Sequence, residues 1–427
     1  MDGCDSEARV AKKIINRIFS EDPLPETKWQ RVFLCARKTD ELKPGFLFRN
    51  MSQPLSQIPN GFRYYSAQDS RLRRIIEATA MSVFEGWSYE EVITPAIDYY
   101  SLFEAGMGQM EAQRAFKFSD GNGSLLALRP DITSAIARAA ATVFGERQRP
   151  LRLCYAANVF RQHARSHADW RRESTQLGCE LLGRNSQAAD MEVLLIATEI
   201  LRRLGFDQRY VITLNDVEIF NGIVENLALD AAARDELRRL VDIRAAAELE
   251  RFLSSHAATD ECTAFANLIQ LSGKAEIFDR ARQVITNQQS RVALDRLESL
   301  WQLIASLGLT EQFEIDLGNV SRLDYYTGLT FAVYVAGAGA RVGGGGRYDD
   351  LTGKFGKAEP AVGFVIEVDA LADLLAGRAA LTQDQPHRES LVCRGDDVAS
   401  AFAEAIDRRA AGRTICIDAD EVHACPG

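Results

Sequence analysis

No two of the eight cysteines form a CxxC pair, and they are scattered from Cys4 to Cys425. That argues against a zinc ribbon or a disulfide framework and for reduced thiols. Histidine is scarce, with five in 427 residues. His163 and His167 stand close together, but no HExxH glutamate accompanies them, so no metal is expected. Long apolar runs are missing as well. Val193–Ala197 is among the longest, far short of the roughly 20 residues of a membrane-spanning helix. Basic residues are outnumbered, 50 Lys and Arg against 60 Asp and Glu, for a net charge of −10. That is a poor global footprint for nucleic acid, although it leaves room for a local basic groove. The N-terminus has no apolar stretch leading to a small-residue cleavage site, so a cytoplasmic protein is expected.

With 46% apolar residues the chain can bury a large core. Residues 1–50 carry charge clusters and the turn-rich run SEDPLPETKWQ without a clear period. They read as a poorly ordered extension or a non-native start, with the core opening near Met51. Leu72, Ile75, Ile76, Ala80 and Val83 give residues 67–84 a helical period. Residues 124–144 read as a strand, a break at Pro130 and a helix, with Asp131 near the helix N-terminus, where a carboxylate is favoured. Asp190–Gly205 is an amphipathic helix stopped by Gly205. Residues 216–310 are helical in pattern and read as an insert between β-rich parts. Strand signals return in QFEIDLGNV, LTFAVYVAG and PAVGFVIEV. This order predicts an α+β chain, an antiparallel sheet flanked by helices with a helical insert. The expected organisation is an extension over 1–50, a core over 51–380 and a short αβ remnant over 381–427.

The stretch VGGGGRYDDL (Val342–Leu351) suggests a phosphate loop at first sight. A P-loop needs a Lys-Ser/Thr pair at its end, and none is present; a dinucleotide fingerprint belongs early in a βαβ unit, and these glycines follow a late β run. Taken alone, the stretch is a glycine-rich strand or turn that lets two backbones approach closely. Its neighbours sharpen the reading. LALRPDIT, NVFRQ, RRESTQLGCELLG, RLDYYTGLTFAVYV and AVGFVIEVDAL surround it in order. The set, from about Gly61 to Leu375, resembles the catalytic domain of histidyl-tRNA synthetases, a class II aminoacyl-tRNA synthetase family. That resemblance implies a class II synthetase-like sheet with a histidine pocket beside an ATP pocket, and a homodimer formed near Val92–Asp98.

The resemblance also assigns candidate ligands. Asp131 stands where the family has a glutamate for the histidine ammonium, and Thr133 adds a hydroxyl. Gln176 matches an amide at the same ammonium, and Glu180 a carboxylate that reaches the imidazole. Tyr325, Tyr326 and Tyr348 match the tyrosines around the ring, and Arg161 is the motif-2 arginine.

The catalytic half departs from the family. Adenylate formation needs cations where charge builds on the α-phosphate. The synthetase arginine position ahead of the Leu-Asp-Tyr-Tyr run holds Ser321, with Arg322 one place later, a shift that reverses the face on a regular strand. Trp170 falls where a phosphate-reading arginine is expected. Where synthetases read Gly-Leu-Glu-Arg, this chain has Glu367, Val368, Asp369 and Ala370. A carboxylate about 4 Å from a phosphate charge costs about 4 kcal/mol at intermediate dielectric. The residues after Leu375 are too few for the α/β anticodon domain of about 100 residues. These departures resemble the paralogous family of ATP phosphoribosyltransferase regulatory subunits. The resemblance implies no aminoacylation, no cofactor, histidine as ligand and a short-form catalytic subunit as partner in a hetero-oligomer, with neither tRNA nor membrane. The alternative is an active histidyl-tRNA synthetase that uses Arg322 in a rearranged phosphate site.

Overall fold

The computed structural model describes residues 56–162, 171–225, 227, 229–243, 245–256, 265–320, 323, 325–377, 388–393 and 398–419. The expected extension over 1–50, the His163/His167 pair, Trp170, Ser321 and Arg322 lie outside the described residues.

Helix α1 (Ala67–Gly86) starts from a capping box in which Ser66 and Asp69 satisfy each other's backbone N–H. Leu72, Ile76, Ala80, Val83 and Phe84 form its buried stripe. Two short strands, β1 (Glu90–Glu91) and β2 (Ile97–Tyr99), precede α2 (Tyr100–Met107). Strands β3 (Lys117–Ser119) and β4 (Leu125–Leu128) join β2 in a three-stranded sheet ordered β2-β4-β3. Then follow α3 (Thr133–Ala141), the long hairpin β5 (Leu151–Phe160) and β6 (Glu173–Leu182), α4 (Gln187–Arg203) and β7 (Tyr210–Asp216).

Between β7 and residue 313 the described chain is largely helical. It runs through α5 (Val217–Val224), α6 (Ala231–Asp242), α7 (Ala246–His256), the two-residue β8 (Ser272–Gly273), α8 (Glu276–Val284) and α9 (Gln288–Ser306). Phe220, Leu237, Leu240, Leu249, Leu253 and Phe265 give this region a small core of its own. Strands β9 (Phe313–Asp316), β10 (Leu329–Val335), β11 (Gly343–Arg347) and β12 (Ala361–Glu367) complete the main sheet, and α10 (Val368–Ala376) follows directly. Strands β13 (Arg388–Cys393) and β14 (Thr414–Ala419), with α11 (Val398–Ala410) between them, form a parallel two-stranded unit.

The main sheet runs β1-β5-β6-β12-β11-β10-β7-β9-β8. Its middle six strands, β5 to β7 in that order, are antiparallel to their neighbours, as the sequence predicts. The β1–β5 and β7–β9 pairs are parallel, so the complete sheet is mixed. The glycine stretch is neither a loop nor a turn: Gly343–Arg347 is β11, paired on both sides. One face of the sheet carries Val362, Phe364, Ile366, Phe331 and Leu214 into the core shared with α1, α4, α9 and α10. The period-two alternation of strands sends Glu180, Gly363, Val365 and Glu367 to the other face. There α2, α3 and the tyrosines pack, and there the cavity lies.

Candidate functional site

A cavity of about 420 Å³ opens over this second face. All eight sequence-predicted residues line it: Asp131, Thr133, Arg161, Gln176, Glu180, Tyr325, Tyr326 and Tyr348. They come from α3 and the segment before it, from β5–β6, and from the segments flanking β10 and β11, brought together by sheet register.

Glu180 sits at the floor, 1% exposed. It lies opposite Gly363 on β12, and a Cβ there would fall 1.7 Å from its Oε2. Gly363 thus leaves open, on the cavity face, the space that the carboxylate occupies. Three hydroxyls converge on it. Thr133 Oγ1 donates to Oε1 at 2.9 Å, Tyr155 OH to Oε1 at 3.0 Å, and Tyr348 OH to Oε2 at 2.6 Å. Burial pushes the Glu180 carboxyl up to about 7, against the lowering effect of these donors and with Asp131 adding like charge. The same burial raises the Tyr155 and Tyr348 hydroxyls well above the usual tyrosine range, so they act as donors throughout the physiological range. Tyr325 stands edge-on to Tyr326 and Tyr348, with ring centroids 4.8 and 5.7 Å apart. Gly346 makes this possible, since a Cβ there would meet the Tyr326 ring at 2.8 Å.

The Glu180 shift gives a stability prediction. The folded chain holds this proton more tightly than the unfolded chain, whose carboxyl titrates at 4.5. Stability therefore falls as pH rises from about 4.5 to about 7, by on the order of 3 kcal/mol for this group. Urea unfolding at intervals between pH 4.5 and 7.5 is expected to show a shallower fall in Glu180→Gln than in the unsubstituted chain. Parallel curves would remove the buried-acid account.

Asp131 accepts from Ser134 N and Oγ at 3.1 and 3.0 Å through Oδ2, so it caps the start of α3 as well as facing the cavity. Thr133 directs its proton to Glu180, which leaves its oxygen to accept. Arg161 is anchored by donation from Nε to the Pro130 carbonyl at 3.1 Å. Gln176, four residues before Glu180 on β6, faces the same side about 13 Å away along the strand. That separation leaves room for an amino acid hydrogen-bonded at both ends.

Beyond Gln176 the cavity is already charged. Glu367, Asp369 and Asp373 line it, and so does Ala370, the position expected to carry a phosphate-holding arginine. The carboxylates are paired with the chain's own arginines. Glu367 Oε1 lies 3.7 Å from Arg161 Nη1. Asp369 pairs with Arg73, accepts from Tyr65 OH at 2.6 Å and from Thr175 N at 2.8 Å, and is nearly fully buried. Asp373 pairs with Arg171 and, at 3.3 Å, with Arg63. The Arg63 and Arg73 guanidinium groups lie 4.7 and 4.2 Å from the Tyr65 ring centroid. A triphosphate entering here would have to break these pairs and face three carboxylates.

Sequence reasoning missed Tyr155, Ser174, Arg171 and Asp373 as lining or contacting groups. Tyr155 was in principle discoverable: it lies opposite Gly178 on β6, a glycine whose added Cβ would meet the Tyr155 hydroxyl at 2.8 Å. Among the described residues no group of three or more His, Cys, Asp or Glu side chains is arranged to hold a metal, and no described helix is long and apolar enough to cross a membrane.

Comparison with known proteins supplies family context. The histidyl-tRNA synthetase family model matches residues 61–371. The chain is 35% identical over 366 residues to the ATP phosphoribosyltransferase regulatory subunit of Geobacter sulfurreducens, covering 84% of this chain and 82% of that protein. It is 33% identical over 365 residues to the subunit of the same name from Moorella thermoacetica, covering 85% and 92%. Among solved structures, an ATP phosphoribosyltransferase regulatory subunit/histidyl-tRNA synthetase from Bacillus halodurans superposes with a TM-score of 0.76 at 26% identity, covering 87% of this chain and 95% of that one. A histidyl-tRNA synthetase from Nostoc gives 0.69 at 20% identity over 87% and 88%, a likeness of fold.

Proposed function

The chain belongs to the histidyl-tRNA synthetase-like family of ATP phosphoribosyltransferase regulatory subunits, and from that premise we propose that it is a histidine-sensing subunit that performs no aminoacylation. Its partner is a short-form ATP phosphoribosyltransferase catalytic subunit, which it activates in a hetero-oligomer built on a homodimeric core. Histidine occupies the cavity over the main sheet. Its ammonium meets Asp131 and Gln176, its imidazole meets Glu180 and the tyrosines, and its carboxylate meets Arg161.

The observation that carries this reading is the contrast between the two ends of one cavity. The amino-acid end holds acceptors, hydroxyls and aromatic rings. Beyond Gln176 stand Glu367, which accepts from Gln176 and faces Arg161, and Asp369 and Asp373, each paired with an arginine of this chain. Glu180 suits an imidazole in particular. Its carboxylate can accept a charge-assisted hydrogen bond from a ring N–H of the imidazole. A sensor works through the difference in ligand affinity between two assembly states, and that difference sets the largest activity change histidine can produce.

Calorimetric titration of the purified chain with histidine and, separately, with ATP and Mg²⁺ tests this. Histidine is expected to bind and ATP to give no saturable heat. ATP-dependent formation of histidyl-adenylate would instead establish the first step of a synthetase and sink the non-catalytic reading.

A further inference from the structure

Glu367 ends β12 directly opposite Gln176 on β6, and both side chains line the cavity. Glu367 Oε1 accepts from Gln176 Nε2 at 2.6 Å. An ionised carboxylate can accept a hydrogen bond and cannot donate one, so it grips the amide by its nitrogen end. The amide oxygen is thereby turned away from Glu367. That oxygen is buried without a hydrogen-bond partner, on a side chain 3% exposed. Leaving a buried acceptor unmet is costly, and native interiors rarely tolerate it without a reason. A ligand that brings a donor into the cavity supplies the missing partner.

An ammonium group fits best. It offers three donors and no acceptor, and it is attracted by the carboxylates of Asp131 and Glu367, which line the same cavity. Without the Glu367 carboxylate the amide has little to choose between its two orientations, because the terminal torsion of glutamine is broad and roughly two-fold. In the flipped orientation its NH₂ would face the ammonium, donor against donor. Arg161 Nη1, 3.7 Å from the same Glu367 oxygen, would then lose its counter-charge and add repulsion.

We propose that Glu367 is a positioning residue that makes the cavity selective for a free α-ammonium, by fixing Gln176 so that its carbonyl oxygen faces the ligand. The proposal rests on the reading of the cavity as a histidine pocket. It gives Glu367 a function inside the amino-acid site, beyond its repulsion of nucleotide phosphate.

The test is calorimetric titration of the full chain with histidine and with imidazole-propionic acid, which is histidine with its ammonium replaced by hydrogen. The unsubstituted chain is expected to prefer histidine at least tenfold. Glu367→Gln is expected to lose most of that preference, with its melting temperature reported alongside. A merely structural role would weaken both ligands alike and leave the ratio intact. If Glu367→Gln does not fold, Gln176→Met, which removes the acceptor at similar length, must show the same loss of ratio. Failure of the unsubstituted chain to bind histidine would overturn the pocket reading and the proposal with it. Histidine binding with no preference over the analogue, or with a preference unchanged in a folded variant, would overturn the role of Glu367 and leave the pocket reading standing.

Discussion

Glu180→Gln is expected to weaken histidine binding by about ten- to a hundredfold, the range that loss of a hydrogen bond to a charged group produces. The substitution keeps the size and shape of the side chain, so the cavity keeps its volume. It changes the electrostatics. One oxygen becomes an NH₂ that cannot accept from Tyr348, or from Thr133 and Tyr155, which now donate to the carboxylate. It also removes the negative charge that would accept from an imidazole N–H. The variant loses an ionisable group whose burial opposes folding at neutral pH, so it is expected to be at least as stable as the unsubstituted chain at pH 7.5. Titration calorimetry reads the affinity and thermal denaturation reads the fold. Weak binding in a stable protein is the expected pair of results. Unchanged affinity would mean that no imidazole reaches Glu180.

Gly363→Ala is expected to act on fold and pocket together. A Cβ at 363 would lie 1.7 Å from Glu180 Oε2 and 2.5 Å from the Cys179 carbonyl oxygen. The carboxylate could rotate away, at the cost of its three hydroxyl donors. The carbonyl belongs to β6 in the middle of the sheet and cannot move without disturbing the β6–β12 ladder. Overpacking of this kind costs about 1–3 kcal/mol and at times more. A loss near the upper end is expected in urea unfolding, with histidine binding lost entirely. A variant with ordinary stability and affinity would contradict the placement of Glu180 across Gly363.

The residues that line the cavity were legible because the short motifs that carry them resemble, in order, those of histidyl-tRNA synthetases. Asp131 and Thr133 flank a proline-broken helix start, Tyr325 and Tyr326 form a pair, and Tyr348 follows a run of glycines. Their placement in one cavity was not readable from any one motif. It depends on β6, β12 and β11 lying side by side, which sets Gln176 opposite Glu367 and Glu180 opposite Gly363. Residues separated by 191 positions in sequence therefore share a hydrogen bond.

For the same reason Glu367 reads in the sequence as an obstacle to phosphate and in the structure also as a hydrogen-bond partner of Gln176. The state of the glycine stretch was hard to read because a run of glycines carries no alternation of polar and apolar side chains, the signal by which a strand is recognised. The parallel edge of the sheet escaped for a related reason. Glu90 and Glu91 make a two-residue strand, too short to show any period, and its pairing with Leu153 and Cys154 is decided by tertiary packing.

The measurement that tests the account most directly is reconstitution. Purified chain is added to its cognate short-form ATP phosphoribosyltransferase catalytic subunit, with and without histidine, and phosphoribosyl-ATP formation is followed. The chain is expected to raise activity and histidine to lower it again, with Glu180→Gln shifting the inhibitory histidine concentration upward by about the factor it costs in binding. A folded chain that leaves the activity of its cognate partner unchanged would contradict the account.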